Sequence, residues 1–119
     1  MQDLEHVFQA VAGYFGVLSE PTRLKIMHAL CQGEKTVSQI VAETAGTQTN
    51  ISRHLGVMYR HRVLKRRKEG TQVVYSVADP TMVELCRSVC NRIASTIEEQ
   101  QPEREKFLRL LPRAKKRAA

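Results

Sequence analysis

The chain lacks tryptophan and is poor in aromatic residues of every kind. Its 119 residues include three phenylalanines and three tyrosines, so a hydrophobic core must be built from leucine, isoleucine and valine. No apolar run approaches the ~20 residues that a helix needs to cross a bilayer. The N-terminus also lacks the basic segment and apolar stretch of a secretory signal. We therefore expect a cytoplasmic protein with no membrane partner.

Cysteine is scarce and odd in number, because the chain contains only Cys31, Cys86 and Cys90. An odd set does not close a disulfide framework, which favours reduced thiols. The length suits one domain with a core large enough to need no disulfide or metal. We find no nucleophile with a spaced base, no glycine-rich phosphate loop and no suitably paired carboxylates. The sequence thus predicts no enzyme and no obligatory cofactor.

Acidic residues are too few to balance the basic ones. Nineteen lysines and arginines face twelve acids, which gives a formal net charge of +7. A basic block without any acid covers residues 60–68, and the end of the chain adds Arg113, Lys115, Lys116 and Arg117. Such a block is typical of a protein with a polyanionic partner. Charge alone leaves open whether that partner is nucleic acid or whether the block is a solvated surface patch.

Apolar residues at three- and four-residue steps predict two helices at the start of the chain. The first would bury Leu4, Val7, Phe8, Val11, Phe15 and Leu18. The second is expected to begin with Ser19 as its cap and Pro21 in its first turn, and to end at Gly33.

A helix-turn-helix is predicted from residue 36 onward. The third helix covers residues 36–45, and Gly46 suits a cap or tight turn. Thr47 or Thr49 then caps the fourth helix. The buried sides would be formed by Val37, Ile40 and Val41 in the third helix and by Ile51, Leu55 and Met58 in the fourth.

A β-hairpin and a long helix are predicted next. Residues 63–68 and 73–77 are β-prone and flank a turn at residues 69–72. A long helix follows Asp79 and is interrupted by Pro102; its apolar stripe is Met82, Leu85, Cys86, Val89, Ile93 and Ile97. Residues 107–111 predict one more short helix. The expected fold is mainly α with a short β-hairpin (α+β), a winged helix-turn-helix over residues 1–101, followed by a short helix and basic flexible tail over residues 102–119.

The outer face of the fourth helix carries the side-chain types that contact base edges in the major groove. Gln and Asn pair with adenine and Arg pairs with guanine, while Ser and Thr suit bases or phosphates. The predicted DNA-contacting residues of this segment are Thr47, Gln48, Thr49, Asn50, Ser52, Arg53 and His54. In the hairpin, Lys65, Arg66, Arg67, Lys68, Gly70 and Thr71 are predicted to contact phosphates or an adjacent minor groove. The competing interpretation is an ordinary solvated helix face.

Three segments resemble those of ArsR/SmtB-type transcriptional repressors. They are Leu18–Leu30 (LSEPTRLKIMHAL), Gly46–Leu55 (GTQTNISRHL) and Gly70–Val77 (GTQVVYSV), and the resemblance covers roughly residues 4–100. It implies a homodimer formed by the first and last long helices, which binds operator DNA without a ligand. It also implies release on sensing a metal ion or a reactive species. One departure is Arg60-His61-Arg62, where the family usually has a glycine.

The resemblance also implies positions for inducer sites, and two of them are missing here. The metalloid site in the third helix needs a Cys-x-Cys pair, and residues 40–44 hold no cysteine. The zinc site in the last helix keeps Asp79. Thr81, Arg92 and Ser95 stand where its other ligands belong, and none of them suits zinc. We therefore predict neither an arsenite site in the third helix nor a zinc site in the last one.

The cysteines are the remaining candidates for sensing. Cys86 and Cys90 share one helix face, and Cys31 is a further candidate whose proximity the sequence leaves open. Such thiols bind a soft metal or metalloid ion, become oxidised or are bridged by sulfur, and Arg87 and Arg92 are expected to lower their pKa. The alternative is that the cysteines only pack, in a DNA-binding regulator without a small-molecule response. A small thiol redox protein is disfavoured because no Cys-x-x-Cys motif is present.

Overall fold

The computed structural model describes residues 2–97 and 102–110. The elements are α1 (Gln2–Val17), α2 (Pro21–Leu30), β1 (Lys35–Thr36), α3 (Val37–Thr44), α4 (Gln48–Arg60), β2 (Leu64–Glu69), β3 (Gln72–Val77), α5 (Pro80–Thr96) and α6 (Pro102–Leu110). This order confirms the predicted winged helix-turn-helix. Leu111 and the basic tail with Arg113, Lys115, Lys116 and Arg117 lie outside the described residues. The domain boundary between residues 101 and 102 stays a prediction.

The start of α2 differs from the expected one, because Glu20 and not Ser19 is its cap. The Oε2 atom of Glu20 accepts the backbone N–H groups of Thr22 at 2.7 Å and Arg23 at 3.2 Å. A carboxylate satisfies these otherwise unpaired donors and also faces the positive end of the helix dipole. Ser19 instead donates its hydroxyl to a carbonyl at the end of α1. Pro21 stands in the first turn, as predicted.

The turn between α3 and α4 uses two small residues for different reasons. Ala45 caps α3 in the left-handed region, with φ 55, so the capping conformation expected at Gly46 occurs one residue earlier. A Cβ atom on Gly46 would lie 2.9 Å from the side chain of Ile51, which is fully buried. Glycine is therefore required there by close packing. Thr47 caps α4, since its Oγ1 accepts the N–H of Asn50 at 3.2 Å.

The hairpin is extended to a three-stranded sheet in the order β1-β3-β2. Lys35 lies opposite Tyr75 and Thr36 opposite Val74. The sequence predicted only β2 and β3, because a strand of two residues is too short to show a period. Thr36 also begins α3 through a reciprocal cap with Gln39, with hydrogen bonds of 2.8 and 3.2 Å.

Left-handed backbone occurs at both ends of β2. Gly70 has φ 64 and forms the loop to β3 together with Thr71. Glycine suits such short loops because they require positive φ. Arg62, before the strand, has φ 62. It lies in the segment where the resemblance led us to expect a glycine, and an L-residue in this conformation costs roughly 1–2 kcal/mol.

The core is aliphatic, as predicted from the shortage of aromatic residues. The inner face predicted for α4 is confirmed, since Ile51, Leu55 and Met58 are fully buried. The other fully buried members include Ile26, Ile40, Val63 and Met82. Val37 and Val41 are only partly buried against this core. Among the described aromatic residues, Tyr75 is buried in this core.

The predicted apolar face of α1 is largely uncovered in the single chain. The exposed fraction is 63% for Phe8 and 54% for Phe15; the other exposed apolar residues on α1 are Leu4, Val7 and Val11. On α5, Val89 and Ile93 are about half exposed, whereas Met82 is buried. The stripe predicted for α5 is thus divided between the core and the surface. α5 ends at Thr96, and Pro102 begins α6 instead of interrupting one continuous helix.

A hydrogen bond links α1 to the start of α5. The hydroxyl of Tyr14 donates to Oδ2 of Asp79 at 2.7 Å, while Oδ1 of Asp79 caps α5. Burial and this bond to the carboxylate raise the pKa of Tyr14 to about 12. The two helices with uncovered apolar residues are therefore held together in one chain.

Candidate nucleic-acid interface and thiol cluster

The outer face of α4 is polar, and most of it is exposed. Gln48, Thr49, Ser52 and Arg53 are exposed, and Asn50 is half-buried. The Nη2 atom of Arg53 donates to Oδ1 of Asn50 at 2.7 Å, so two groups able to contact bases lie together on this surface. Because the opposite face is fully buried in the core, the helix presents these side chains outward.

Thr47 lies at the exposed N-terminus of the same helix. Its hydroxyl is already used as the cap of α4. Removing that hydroxyl would therefore affect the helix itself as well as any contact with DNA.

His54 does not belong to the outer face, and its predicted place there is wrong. It is buried, with 6% of its surface exposed. The Nε atom of Arg23 donates to Nδ1 of His54 at 3.1 Å, and Nε2 lies 3.6 Å from Oε2 of Glu20. The guanidinium of Arg23 also reaches the carbonyl of Val17 at 3.4 Å. These contacts link α4 to the start of α2 and the end of α1.

Arg23 and Glu20 help to position α4 through their contacts with His54, a role that the sequence pattern did not reveal. Both lie in the segment Leu18–Leu30. The resemblance of this segment to ArsR/SmtB-type repressors is the sequence feature that could have pointed to them. Periodicity did not reveal their role, because Arg23 and His54 are 31 residues apart in the chain.

Arg66 in the hairpin is held by two tyrosines. Its guanidinium carbon lies 3.9 Å from the ring centroid of Tyr59, and its Nη1 donates to the hydroxyl of Tyr75 at 3.4 Å. A cation over an aromatic face is a favourable arrangement. Because Tyr59 is on α4 and Tyr75 on β3, Arg66 joins the hairpin to the helix-turn-helix.

Arg67 is occupied by carboxylates. It donates to Glu34 at 2.7 Å and to Glu69 at 2.6 Å, and its side chain is half exposed. Lys65 and Lys68 are exposed, and neither forms an ion pair within residues 2–97 and 102–110. Of the four predicted basic residues on β2, these two lysines are thus the most available to phosphates. Gly70 and Thr71 are exposed at the tip of the hairpin.

The three cysteines line one cavity of about 420 Å³. Cys31 follows α2, whereas Cys86 and Cys90 lie on α5, so the structure brings together all three predicted sensing residues. The cavity is also lined by Leu24, Lys25, Met27, His28, Ala29, Glu43, Thr44, Val83, Arg87, Phe107 and Leu110. Each thiol is half-buried and none is disulfide-bonded.

The electrostatics of the thiols differ from the expectation. Burial, followed by the neighbouring Cys90 and Cys31, raises the pKa of Cys86 to about 11. Burial also raises the pKa of Cys90. The prediction that Arg87 and Arg92 lower these pKa values is wrong, because burial raises both of them and neither arginine is among the groups that shift them. Thiols in this state are mostly protonated at neutral pH.

Metal binding by these residues is not favoured within one chain. Among the described residues, no three His, Cys, Asp or Glu side chains are grouped so that they can share a metal ion. A soft metal ion bound by Cys86 and Cys90 would therefore find no third ligand of these types in the described part of the same chain.

Within residues 2–97 and 102–110, no helix is both long and apolar enough to cross a membrane.

The fold and the exposed polar helix define the class of protein as a winged helix-turn-helix regulator. The sequence profile of bacterial regulatory proteins of the arsR family matches residues 20–65. The chain is also 30% identical over 95 residues to a helix-turn-helix transcriptional regulator of Mycobacterium tuberculosis, covering 76% of this chain and 83% of that one. This chain belongs to the arsR family.

Further relatives agree with this assignment. A transcriptional repressor SmtB homolog of Synechocystis is 32% identical over 85 residues, covering 71% of this chain and 64% of its own. The solution structure of a homodimeric winged helix-turn-helix DNA-binding domain of Mycobacterium bovis has a TM-score of 0.69 at 25% identity. That match covers 80% of this chain and 87% of the other.

Proposed function

We propose that the chain is a sequence-specific transcriptional repressor that binds double-stranded operator DNA and carries out no catalysis. The observation that carries the proposal is the outward polar face of α4 with its opposite face fully buried. The hairpin, with Lys65 and Lys68 exposed, flanks this helix through the contact of Arg66 with Tyr59. The Synechocystis relative is named a repressor and the Mycobacterium bovis neighbour a DNA-binding domain, which supports the same function.

The proposed repressor acts as a homodimer through α1 and α5. Contiguous exposed apolar residues on a small protein mark an interface, and these helices carry such residues in the single chain. A symmetric dimer places two copies of α4 on two half-sites of a palindromic operator. The Mycobacterium bovis neighbour is described as homodimeric. Cysteines without disulfide bonds favour a reducing, cytoplasmic location.

Release from the operator is proposed to follow a reaction at Cys86 and Cys90, with Cys31 as a third participant. The support is that all three thiols line one cavity. Oxidants, reactive sulfur species and soft metals are the reagents that such thiols take up. A second candidate is a winged-helix regulator without a response. The burial that raises the pKa of Cys86 and Cys90 favours it, because buried cysteine often serves only packing.

The test begins with an operator selected from a random duplex pool. Its binding is then measured by fluorescence anisotropy, with and without peroxide, polysulfide and arsenite. We expect retention at ~100 mM salt, where several phosphate contacts still hold, and loss of binding with at least one reagent. Binding that survives every reagent would support the non-responding regulator. A protein that enriches no sequence and retains no duplex would overturn both candidates.

A further inference from the structure

A cleft with uncompensated positive charge lies where α4 meets β2. Its volume is about 440 Å³, and it is lined by Tyr59, Arg60, Arg62, Leu64, Lys65, Arg66 and Ala78. We refer to Arg60, Arg62 and Lys65 as the basic cluster. All three are exposed, and none forms an ion pair with another residue in the described ranges 2–97 and 102–110. The described lining of the cleft includes no acid, so its charge is free for an anionic partner.

The guanidinium of Arg60 lies toward the part of α4 that is predicted to contact bases. A Cβ atom on Gly56 would lie 3.3 Å from Nη1 of Arg60, so the charge is folded back along the helix toward its N-terminus. Arg53 and Arg60 are seven residues apart, which is close to two helical turns, so both project from the same side of α4. Arg60 therefore continues the polar surface that includes Arg53.

Two residues in this region have unfavourable local conformations. Gly56 lies inside a helix, where glycine is less favourable than alanine. Its missing side chain leaves the space that the guanidinium of Arg60 occupies. Arg62 has φ 62, a conformation that glycine adopts freely and that is costly for an L-residue. Such local costs are concentrated at functional sites, and here both determine where positive charge lies.

The basic cluster lies beside the predicted base-contacting segment. An α-helix rises about 1.5 Å per residue, so the Cα atom of Arg60 is about 10 Å along the axis from that of Arg53. The major groove is only about 12 Å wide, so a helix with Arg53 at the base edges brings Arg60 close to the backbone at the side of the groove. Lys65, already predicted to contact phosphates, lines the same cleft. Phosphate oxygens are the acceptors that arginine and lysine favour there.

We propose that the basic cluster binds phosphate groups of the operator backbone next to the base pairs that α4 contacts. The inference deepens the proposed function and rests on it for the identity of the duplex. It gives a contact to Arg60 and Arg62, for which the sequence motifs predicted none. Such contacts raise the affinity for every duplex and fix the orientation of α4, but they do not discriminate between sequences.

The first test measures the salt dependence of binding to the selected operator and to a random duplex of equal length. Loss of one phosphate contact reduces the slope of log affinity against log salt by about 0.9, and we expect this loss for Arg60→Ala and for Arg62→Gly. Each variant should weaken binding to both duplexes by the same factor. Unchanged slopes for both variants would overturn the proposal.

Two control variants show whether the charge and its position matter. Arg60→Lys keeps the charge and should keep the slope. Lys106→Ala removes one exposed charge from α6, away from the basic cluster, and should also keep it. A reduction of the slope by Lys106→Ala equal to that by Arg60→Ala would attribute the effect to net charge and overturn the proposed contact.

The Arg62→Gly variant also distinguishes a DNA contact from a structural role. Glycine relieves the cost of positive φ, so we expect the urea midpoint to rise while the affinity for DNA falls. A residue that served only the fold would change the two quantities in the same direction. A stabilised Arg62→Gly variant with undiminished affinity would contradict the contact by Arg62.

Ethylation of single phosphates in the operator locates the contacts. Beside each half-site we expect phosphates whose ethylation weakens binding by the unmodified chain but not by the double variant Arg60→Ala, Arg62→Gly. An identical interference pattern for the two proteins would overturn the proposal.

The outcomes separate this inference from the function on which it rests. Normal operator selection, with slopes and interference unchanged in the variants, would overturn the basic cluster alone. Reduced slopes on a random duplex, in a chain that enriches no sequence, would retain the basic cluster and overturn the sequence-specific repressor. A chain that binds neither duplex would overturn both.

Discussion

At the scale of single residues, adjacent positions on α4 have opposite environments. Arg53 is exposed and bonded to Asn50, whereas His54 is buried and accepts a hydrogen bond from Arg23. Both were predicted to contact DNA, because a helical pattern does not distinguish a polar residue at the edge of the buried face from one on the outer face. Nδ1 of His54 is the acceptor in this bond, since the guanidinium of Arg23 can only donate.

Substitution of these two residues should separate recognition from stability. Arg53→Ala is expected to weaken operator binding by about 1–3 kcal/mol if it pairs with a base, and to change the free energy of unfolding by less than ~0.5 kcal/mol. His54→Ala should lower the free energy of unfolding by about 1–3 kcal/mol, because Arg23 loses its buried acceptor. Urea titration and anisotropy measure both quantities. The reverse assignment of effects would place His54 on the DNA-binding face.

At the scale of elements, the connection within the helix-turn-helix depends on two neighbouring small residues. Ala45 adopts the left-handed conformation that favours glycine, and Gly46 packs against Ile51 where a Cβ does not fit. The left-handed cap of α3 is therefore an alanine, whereas the neighbouring glycine, the residue that usually adopts this conformation, is needed for close packing.

Single substitutions at these two positions should change the free energy of unfolding in opposite directions. Ala45→Gly removes the strain of positive φ and is expected to raise the free energy of unfolding by up to ~1 kcal/mol. Gly46→Ala should lower it by about 1–3 kcal/mol, because the added methyl group overlaps the fully buried Ile51. Thermal and urea unfolding of the two variants measure this difference. Stabilisation by Gly46→Ala would contradict the close packing.

The basic residues of the hairpin differ in whether their charge is already paired with a carboxylate. Arg67 is paired with Glu34 and Glu69, whereas Lys68 is exposed and available. We expect Lys68→Ala to reduce the slope of log affinity against log salt by about 0.9, the value for one phosphate contact. Arg67→Ala should change the slope much less, because its charge is already compensated. Equal losses for both variants would show that Arg67 leaves its carboxylates when DNA binds.

At the scale of the whole molecule, the exposed apolar residues of α1 and α5 have no cover from the described part of their own chain. Phe8 is the most exposed of them, at 63%. A monomer would keep this surface in water, which favours the proposed homodimer. Since each half-site contributes to affinity, dimerisation and operator binding should be lost together.

A charge in this surface should test the dimer. Phe8→Glu is expected to shift the protein to a monomer and to weaken operator binding at least tenfold, because burying an unpaired carboxylate costs several kcal/mol. Gln9→Glu, at the next exposed position of α1, adds the same charge and should leave the dimer intact. Sedimentation velocity gives the oligomeric state. A dimeric Phe8→Glu variant would place the interface elsewhere.

Local patterns in the sequence were sufficient for the helices, the hairpin and the buried face of α4. The spacing of Ile51, Leu55 and Met58 shows one face of a helix directly, and the shortage of aromatics already required an aliphatic core. The polar face of α4 and the basic strand β2 were likewise visible, because these features depend on residues close together in the chain.

Only the tertiary structure decided which of those polar residues are available and what surrounds the cysteines. His54 is buried and Arg67 neutralised because α2 and the segment holding Glu34 fold against them from distant positions. Cys31 meets Cys86 and Cys90 because α2 and α5 pack around one cavity, and the same packing removes the thiols from water and raises the pKa of Cys86 and Cys90. Burial and charge compensation depend on neighbours in space, which periodicity along the chain does not encode.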